Sequence, residues 1–89
     1  MNYFIGIGQI IEEINFDFFL NSKKIISAAD TFIKIQNTHN TNNPVTIKII
    51  GFNDLADKMY RRLYKGSYVL VYGTLTTNGY VEIIDFQKI

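Results

Sequence analysis

The sequence predicts an all-β fold, a small five-stranded Greek-key barrel with one short helix between its third and fourth strands. Three observations predict it. A run of β-branched residues at 45–50 is closed by Gly51, which is typical of a strand that ends in a bend. A segment with one apolar face follows at about 54–65 and predicts a helix. A second β-rich run then occupies residues 68–75.

The first half of the chain contains two further predicted strands. Residues 2–14 form a long β-rich run whose internal glycines permit the sharp bend that the first strand of a barrel needs. Residues 15–20 either continue this strand or start a short second one, and residues 21–24 form a polar turn. Residues 30–37 alternate apolar and polar side chains and predict the next strand. The polar residues 37–44 predict an exposed loop.

The predicted helix has recognisable ends. Asn53 or Asp54 suits the N-cap position, and Gly66 suits the left-handed position after the last turn. Basic residues lie near its C-terminal end, where the negative pole of the helix dipole favours them. Its apolar stripe consists of Leu55, Met59 and Leu63, with Ala56 and Tyr60 beside them. We expect this helix to close one end of the barrel.

The last two strands are predicted to form a hairpin. Asn78-Gly79 lies between two apolar runs, which is the strongest short-range signal for such a turn. Residues 80–89 then form the final strand. A helix between strands three and four of a five-stranded chain is the element order of the OB fold. Residues 1–89 therefore predict a single OB-fold domain.

Composition excludes several classes of function. The chain has no cysteine and one histidine, His39, so neither a disulfide nor a zinc site built from several of these residues is expected. We find no catalytic constellation, and we expect no cofactor. The formal net charge is +1, which does not by itself indicate a nucleic-acid partner. No apolar run reaches the ~18 residues that a membrane span needs, and no signal peptide is recognisable.

Three segments resemble the bacterial and organellar single-strand DNA-binding protein family. Residues 2–10 resemble its first strand, in which an apolar run ends in glycine, a polar residue and Leu or Ile. Residues 45–56 resemble its third strand, glycine and Leu-Ala helix start. Residues 63–75 resemble its helix end, Lys-Gly-Ser turn and fourth strand. The short length is similar to that of small plastid-encoded members and of primosomal protein B. The resemblance implies an OB fold, no enzymatic activity, and binding of single-stranded nucleic acid in DNA replication.

The sequence departs from this family where the family stacks bases. Pro44 and Ile50 stand at positions where the family carries aromatic residues, and the chain has no tryptophan. The hairpin at residues 78–79 is shorter than the arm with which the family wraps DNA. The acidic tip by which the family recruits replication and repair proteins is not expected either.

Four residues are candidates for contacts with nucleic acid. Lys34, Thr46 and Lys48 are predicted on the outward face of strands two and three, which is the ligand-binding face of OB folds. Lysines there would contact phosphates, although polar residues on an exposed sheet face also serve solubility. Tyr80, at the mouth of the hairpin, would stack on a base or form a cross-strand pair that steadies the turn.

A second group of residues is a candidate protein interface. Tyr68, Leu70 and Tyr72 project from one side of strand four, opposite Val69 and Val71. Alternating aromatic and aliphatic residues on an outer face form an apolar patch, which usually marks a subunit contact. Base stacking on the tyrosines is the alternative.

Two hypotheses follow from these residues. The first is a non-enzymatic module that binds single-stranded DNA or RNA with little sequence preference, as a homo-oligomer or as a subunit of a complex. The second is a structural or adaptor subunit that has lost nucleic-acid binding. We expect a soluble protein of the cytoplasm or nucleoid, or of an organelle stroma. A plastid is suggested because the abundant Ile, Asn, Lys, Phe and Tyr indicate an AT-rich genome.

Overall fold

A computed structural model describes residues 2–37 and 40–89, without the side chains of residues 36–43. His39 lies outside the described residues. The elements are the strands β1 (Tyr3–Ile10), β2 (Asn15–Asn21), β3 (Lys24–Asn37), β4 (Asn40–Phe52), β5 (Tyr68–Leu75) and β6 (Val81–Lys88), with the helix α1 (Asp54–Arg62). Within the described ranges, no helix is long and apolar enough to cross a membrane.

Five of the strands form a closed barrel, which confirms the predicted OB fold. Along the sheet the strands run in the order β1-β5-β6-β4-β3-β2. The sheet closes because β1 also pairs with β3, through Gln9 opposite Lys34 and Ile10 opposite Ile33. Strands β4 and β6 pair in parallel, whereas the other neighbours are antiparallel. The helix lies between β4 and β5, as the sequence predicts.

The sixth strand, β2, is an addition to the barrel. It pairs with β3 along its whole length, so the two form a hairpin at the end of the sheet. Ser22 and Lys23 both have positive φ angles, which is typical of the two-residue turns that join twisted strands. The first predicted strand is accordingly shorter than 2–14, and the strand predicted at 30–37 begins earlier, at Lys24.

The prediction of a loop at residues 37–44 is wrong at Asn37, the last residue of β3, and at residues 40–44, which belong to β4. Strand β4 begins at Asn40, which pairs with Asn37 after a register shift. The composition of this segment favours loops, but strand pairing within a hairpin overrides such local preferences.

The core lies inside the barrel and beneath the helix. One side of each barrel strand supplies it, and Val69 and Val71 face inward while their neighbours on β5 face outward, as predicted. The buried apolar residues are Ile10, Ala29, Ile33, Ile49, Ala56, Met59, Leu63, Val69, Val71, Val81, Ile83 and Phe86. The helix contributes two of them, Ala56 and Met59, and Leu63 follows directly after it, so the helix closes an end of the core.

The ends of the helix differ from the prediction. Asn53 stands at the N-cap position, but its φ is 57° and its side chain makes no capping hydrogen bond. Leu63 ends the helix in an extended conformation, so the helix is shorter than 54–65. Gly66 does have a positive φ, but it lies in a separate turn closed by the Ser67 amide donating to the Tyr64 carbonyl. The chain needs this extra turn to enter β5.

Gly73 permits a close approach of β5 and β6 at a β-bulge in the barrel wall. The register of β5 against β6 shifts between Tyr72 and Gly73, so β6 has an extra residue there. A Cβ atom at residue 73 would lie 2.6 Å from the Cα of Ile83 and would also contact the Glu82 carbonyl oxygen. Both are backbone atoms, so only glycine lets the two strands approach this closely.

Gly73→Ala is therefore expected to lower the free energy of unfolding by about 2 kcal/mol or more, since overpacking against backbone forces the strands apart. Chemical denaturation monitored by circular dichroism measures this change. Gly66→Ala is the matched control, because the site has a positive φ but no atoms within 4 Å, so it costs only about 1 kcal/mol. Equal losses in the two variants would contradict the steric explanation.

Candidate nucleic-acid interface

The outer face of the β3–β4 ladder brings together three of the four predicted contact residues. Directly opposed residues of an antiparallel pair share a face. Lys34 lies opposite Thr46, and Lys48 lies opposite Phe32, two pairs further along the ladder. Between these two pairs Ile33 lies opposite Ile47; Ile33 is buried in the core and Ile47 packs against it. Lys34, Thr46 and Lys48 therefore project from the barrel on the same side.

The two lysines differ in their freedom to bind phosphate. Lys34 is exposed and Lys48 is half-buried. The Nζ atom of Lys48 lies 3.3 Å from Oδ2 of Asp30, on the same outer face. An ion pair of this exposure contributes at most about 1 kcal/mol to stability. Its larger effect is on binding, because Asp30 neutralises the charge that Lys48 would offer to a phosphate.

Phe32 is an aromatic residue of this face that was not predicted. It is partly exposed, and its register places it between the rows of Asp30 and Lys34. The signal was present in the sequence, since the alternation that directs Ile33 and Ile35 inward directs Phe32 outward together with Lys34. The face thus retains one ring, although Ile50 occupies the neighbouring row of β4.

Tyr80 lies beside this face, directly before the neighbouring strand β6. Val81 pairs with Ile49 in the parallel β4–β6 ladder, so Tyr80 precedes β6 at the level of Lys48. Its carbonyl oxygen accepts hydrogen bonds from the amide and the hydroxyl of Thr76, at 2.9 and 3.0 Å. Gly79, with a φ of 84°, completes the turn, which confirms the predicted hairpin. The backbone of Tyr80 is fixed by this turn, while its side chain is partly exposed.

A cleft of about 370 Å³ borders the face on the side of β2. Its lining residues are Asn15, Phe16, Asp17, Ala28, Asp30 and Ile50. The two carboxylates in this lining would repel phosphates. The lysines and Phe32, away from β2, are therefore the part of this face best suited to an anionic ligand.

The predicted interface residues form a separate outer face, on β1 and β5. Tyr68, Leu70 and Tyr72 lie opposite Gln9, Ile7 and Ile5. Ile5 is 76% exposed and Tyr72 is 41% exposed, and Tyr3 and Ile7 extend the same apolar surface. Asp85, on β6, lies opposite Tyr72 and supplies a charge at the edge of this apolar surface. The pKa of the Asp85 carboxyl is lowered below its usual value, chiefly because the amide of Phe86 donates a hydrogen bond to it. Partial burial opposes this shift by raising the pKa, and Lys58, whose Nζ lies 3.4 Å from Oδ1, lowers it further.

In the part of the chain that the structure describes, no group of His, Asp or Glu residues is arranged to hold a metal ion.

Comparisons with known proteins identify the fold. No protein-family model matches the chain, and no curated protein sequence matches it significantly. Among solved structures, the SSB domain of a Synechococcus protein has a TM-score of 0.84 at 15% identity, and the match covers 98% of this chain and 94% of that one.

Two further solved structures have the same fold. A deletion mutant of the single-stranded DNA binding protein from Thermus aquaticus has a TM-score of 0.77 at 17% identity, and this chain is matched in full but spans 41% of that chain. A small single-stranded DNA-binding protein from Streptomyces coelicolor has a TM-score of 0.73 at 13% identity, with 100% of this chain and 95% of that chain covered. The chain therefore has the OB fold found in single-stranded DNA-binding domains.

Proposed function

We propose that this chain is a single-domain, non-enzymatic OB module that binds single-stranded nucleic acid with little sequence preference. The observation that carries the proposal is the outer face of β3 and β4, on which Lys34, Lys48 and Phe32 lie together with Thr46. Cations for the backbone and a ring for a base are the two elements of non-specific single-strand binding. The three similar structures support the proposal, since one is an SSB domain and the other two are single-stranded DNA-binding proteins.

Each residue has a distinct part in the proposed binding. Lys34 and Lys48 contact successive phosphates, and the hydroxyl of Thr46 donates to a phosphate oxygen. Phe32 stacks on a base between them, and Tyr80 stacks on a base at the far edge of the face. Since no side chain reads base edges in this scheme, sequence preference is small. The affinity is modest because Asp30 competes with the phosphate for Lys48.

The phosphate contacts are tested by Lys34→Ala/Lys48→Ala. We expect weaker binding to labelled oligo-dT and a smaller salt dependence, by about 1.4 units in the slope of log K against log salt, since each lost contact removes ~0.7. Fluorescence anisotropy at several salt concentrations measures both quantities. Titration of oligo-rU in parallel shows whether DNA or RNA is bound more tightly.

Two variants serve as controls for this experiment. Arg61→Ala/Arg62→Ala removes the same charge from the exposed end of α1 and should leave the slope nearly unchanged. Asp30→Asn releases Lys48 and should tighten binding at low salt. If the wild-type protein binds no oligonucleotide at low salt at tens of micromolar, or if the arginine variant weakens binding as much as the lysine variant, the proposed site is wrong.

The stacking role of Phe32 is tested by Phe32→Leu, which keeps an apolar side chain but removes the ring. Loss of one stacked base is worth about 1–3 kcal/mol, so the affinity for oligo-dT should fall about 5- to 150-fold while the salt slope stays constant. Ile50→Leu, one row away on β4, is the matched control and should bind as the wild type does. Unchanged affinity in Phe32→Leu would remove this residue from the site.

A second candidate function is assembly, and the exposed apolar surface on β1 and β5 favours it. Tyr3, Ile5 and Ile7 lie beside Tyr68, Leu70 and Tyr72 across adjoining strands, and contiguous patches of this kind usually mark protein contacts. We propose that this surface joins copies of the chain or attaches it to a larger complex. This role is compatible with nucleic-acid binding, because the two faces lie on different strands.

Ile5→Lys tests the assembly role. A charge in the middle of an apolar contact is costly to bury, so the native mass from light scattering should fall toward that of one chain, with binding of oligo-dT per chain retained. Ile25→Lys changes an isoleucine of similar exposure on the β2–β3 hairpin, outside the patch, and should leave the mass as in the wild type. A wild-type protein that is monomeric at all concentrations and captures no partner would contradict the assembly role.

A further inference from the structure

The outer edge of β2 is an unusual feature of the described chain. In the described sheet β2 pairs only with β3, so its other edge carries no ladder partner. The strand reads Asn-Phe-Asp-Phe-Phe-Leu-Asn, with one charged residue and no proline. Phe18 is 61% exposed and Leu20 is 73% exposed. An exposed, apolar edge strand without lysine or proline is a template for pairing with another strand.

The free edge is formed by the even-numbered residues of β2. The two-residue turn makes Asn21 and Lys24 the hydrogen-bonded closing pair, so the odd-numbered residues bond to β3. The backbone groups of Phe16, Phe18 and Leu20 then point away from β3. The amide of Phe18 agrees with this assignment, since it donates to the carboxylate of Asp17 at 2.8 Å and not to a strand.

We propose that β2 of one chain pairs antiparallel with β2 of a second copy, about a two-fold axis at Phe18. In this register Phe18 lies opposite Phe18 of the other copy and Phe16 lies opposite Leu20. The asparagines at the two ends of the strand, Asn15 and Asn21, lie opposite each other. The strand is thus close to self-complementary, as a contact between identical surfaces requires. About six backbone hydrogen bonds would form along the free edge.

Charge at the two ends of β2 supports a second copy as the occupant. Glu12 and Glu13 precede the strand, and Lys23 and Lys24 follow it; all four are exposed. Antiparallel pairing places the acidic end of one copy beside the basic end of the other, twice per contact. Parallel pairing would place like charges together, which is unfavourable. An unrelated extended peptide would gain the backbone hydrogen bonds but not these charges.

Asp17 makes the contact reversible. Its carboxylate satisfies the Phe18 amide in the single chain and must release it when the strands pair. The contact therefore replaces two such hydrogen bonds, one in each copy, as it forms the others, and association depends on protein concentration.

Cysteine cross-linking tests the register, because the chain has no cysteine of its own. In Phe18→Cys the two Cα atoms would be ~5.5 Å apart, within the range of a disulfide. In Leu20→Cys, on the same exposed face, they would be roughly 14 Å apart, which is too far. In a glutathione redox buffer we expect Phe18→Cys to form a disulfide-linked dimer. The amount of this dimer should be at least tenfold greater than the amount formed by Leu20→Cys. No dimer of Phe18→Cys, or equal dimer in both variants, would overturn the proposal.

A charge reversal tests the antiparallel arrangement in the Phe18→Cys background. Glu12→Lys/Glu13→Lys places lysines against lysines and should slow dimer formation several-fold at low salt. Adding Lys23→Glu/Lys24→Glu to the same chain restores opposite charges and should restore the rate. Circular dichroism checks that each variant is folded. A rate that the second pair of substitutions does not restore would show that the acidic and basic ends do not meet, and the arrangement would be wrong. The cross-linking needs no nucleic acid, so its outcome is independent of oligonucleotide binding.

Discussion

Closure of the barrel at β1 is the constraint on which the rest of the structure depends. One strand of eight residues pairs with β5 along its length and with β3 at its last two residues. Pairing on both sides fixes the register of β3, and β3 in turn fixes β4. Since a shift of one residue would exchange the inner and outer faces of a strand, this closure decides which side chains form the core and which meet solvent. Two close approaches permit it, one at Gly73 and one at Gly8, where an added Cβ would lie 2.9 Å from the Lys34 carbonyl oxygen.

The same closure places a charged face and an apolar face on different parts of one barrel. Lys34 lies opposite both Thr46 and Gln9, so it stands where the β3–β4 face meets β1. Beyond Gln9 the outer residues are mainly apolar, up to Tyr72. A net charge of +1 therefore says little about binding, because the cations and the carboxylates are unevenly distributed. Asp30 beside Lys48 shows that even the charged face is partly neutralised.

Local patterns in the sequence were enough to predict the barrel, and non-local pairing explains what they missed. The β-branched runs, the glycines and the apolar helix stripe each reflect a local rule, and they placed the helix and the last hairpin correctly. The β2–β3 hairpin was less visible, because Ala28 and Ala29 have low strand propensity and owe their conformation to neighbours on both sides. The same holds for Asn40, a residue typical of loops that is paired to Asn37. Phe32 was predictable from alternation alone, whereas the ion pair of Lys48 with Asp30 depends on a register that the sequence does not reveal.

The hairpin that the sequence concealed is also the part of the fold that extends its surface. If β2 pairs with its copy, the outer faces of two barrels become parts of one sheet, in the order β4-β3-β2 and then the same strands reversed. Strands in a sheet are about 4.8 Å apart, so the two β4 strands would be roughly 24 Å apart. A single strand of nucleic acid a few nucleotides long could span this distance, but Asp17 and Asp30 of both copies lie between the two lysine pairs. Electrostatics then favours a strand that runs along β3 and β4 of each barrel over one that crosses the joined edge. Two joined copies would hold two segments side by side, and binding by one copy would not require the other.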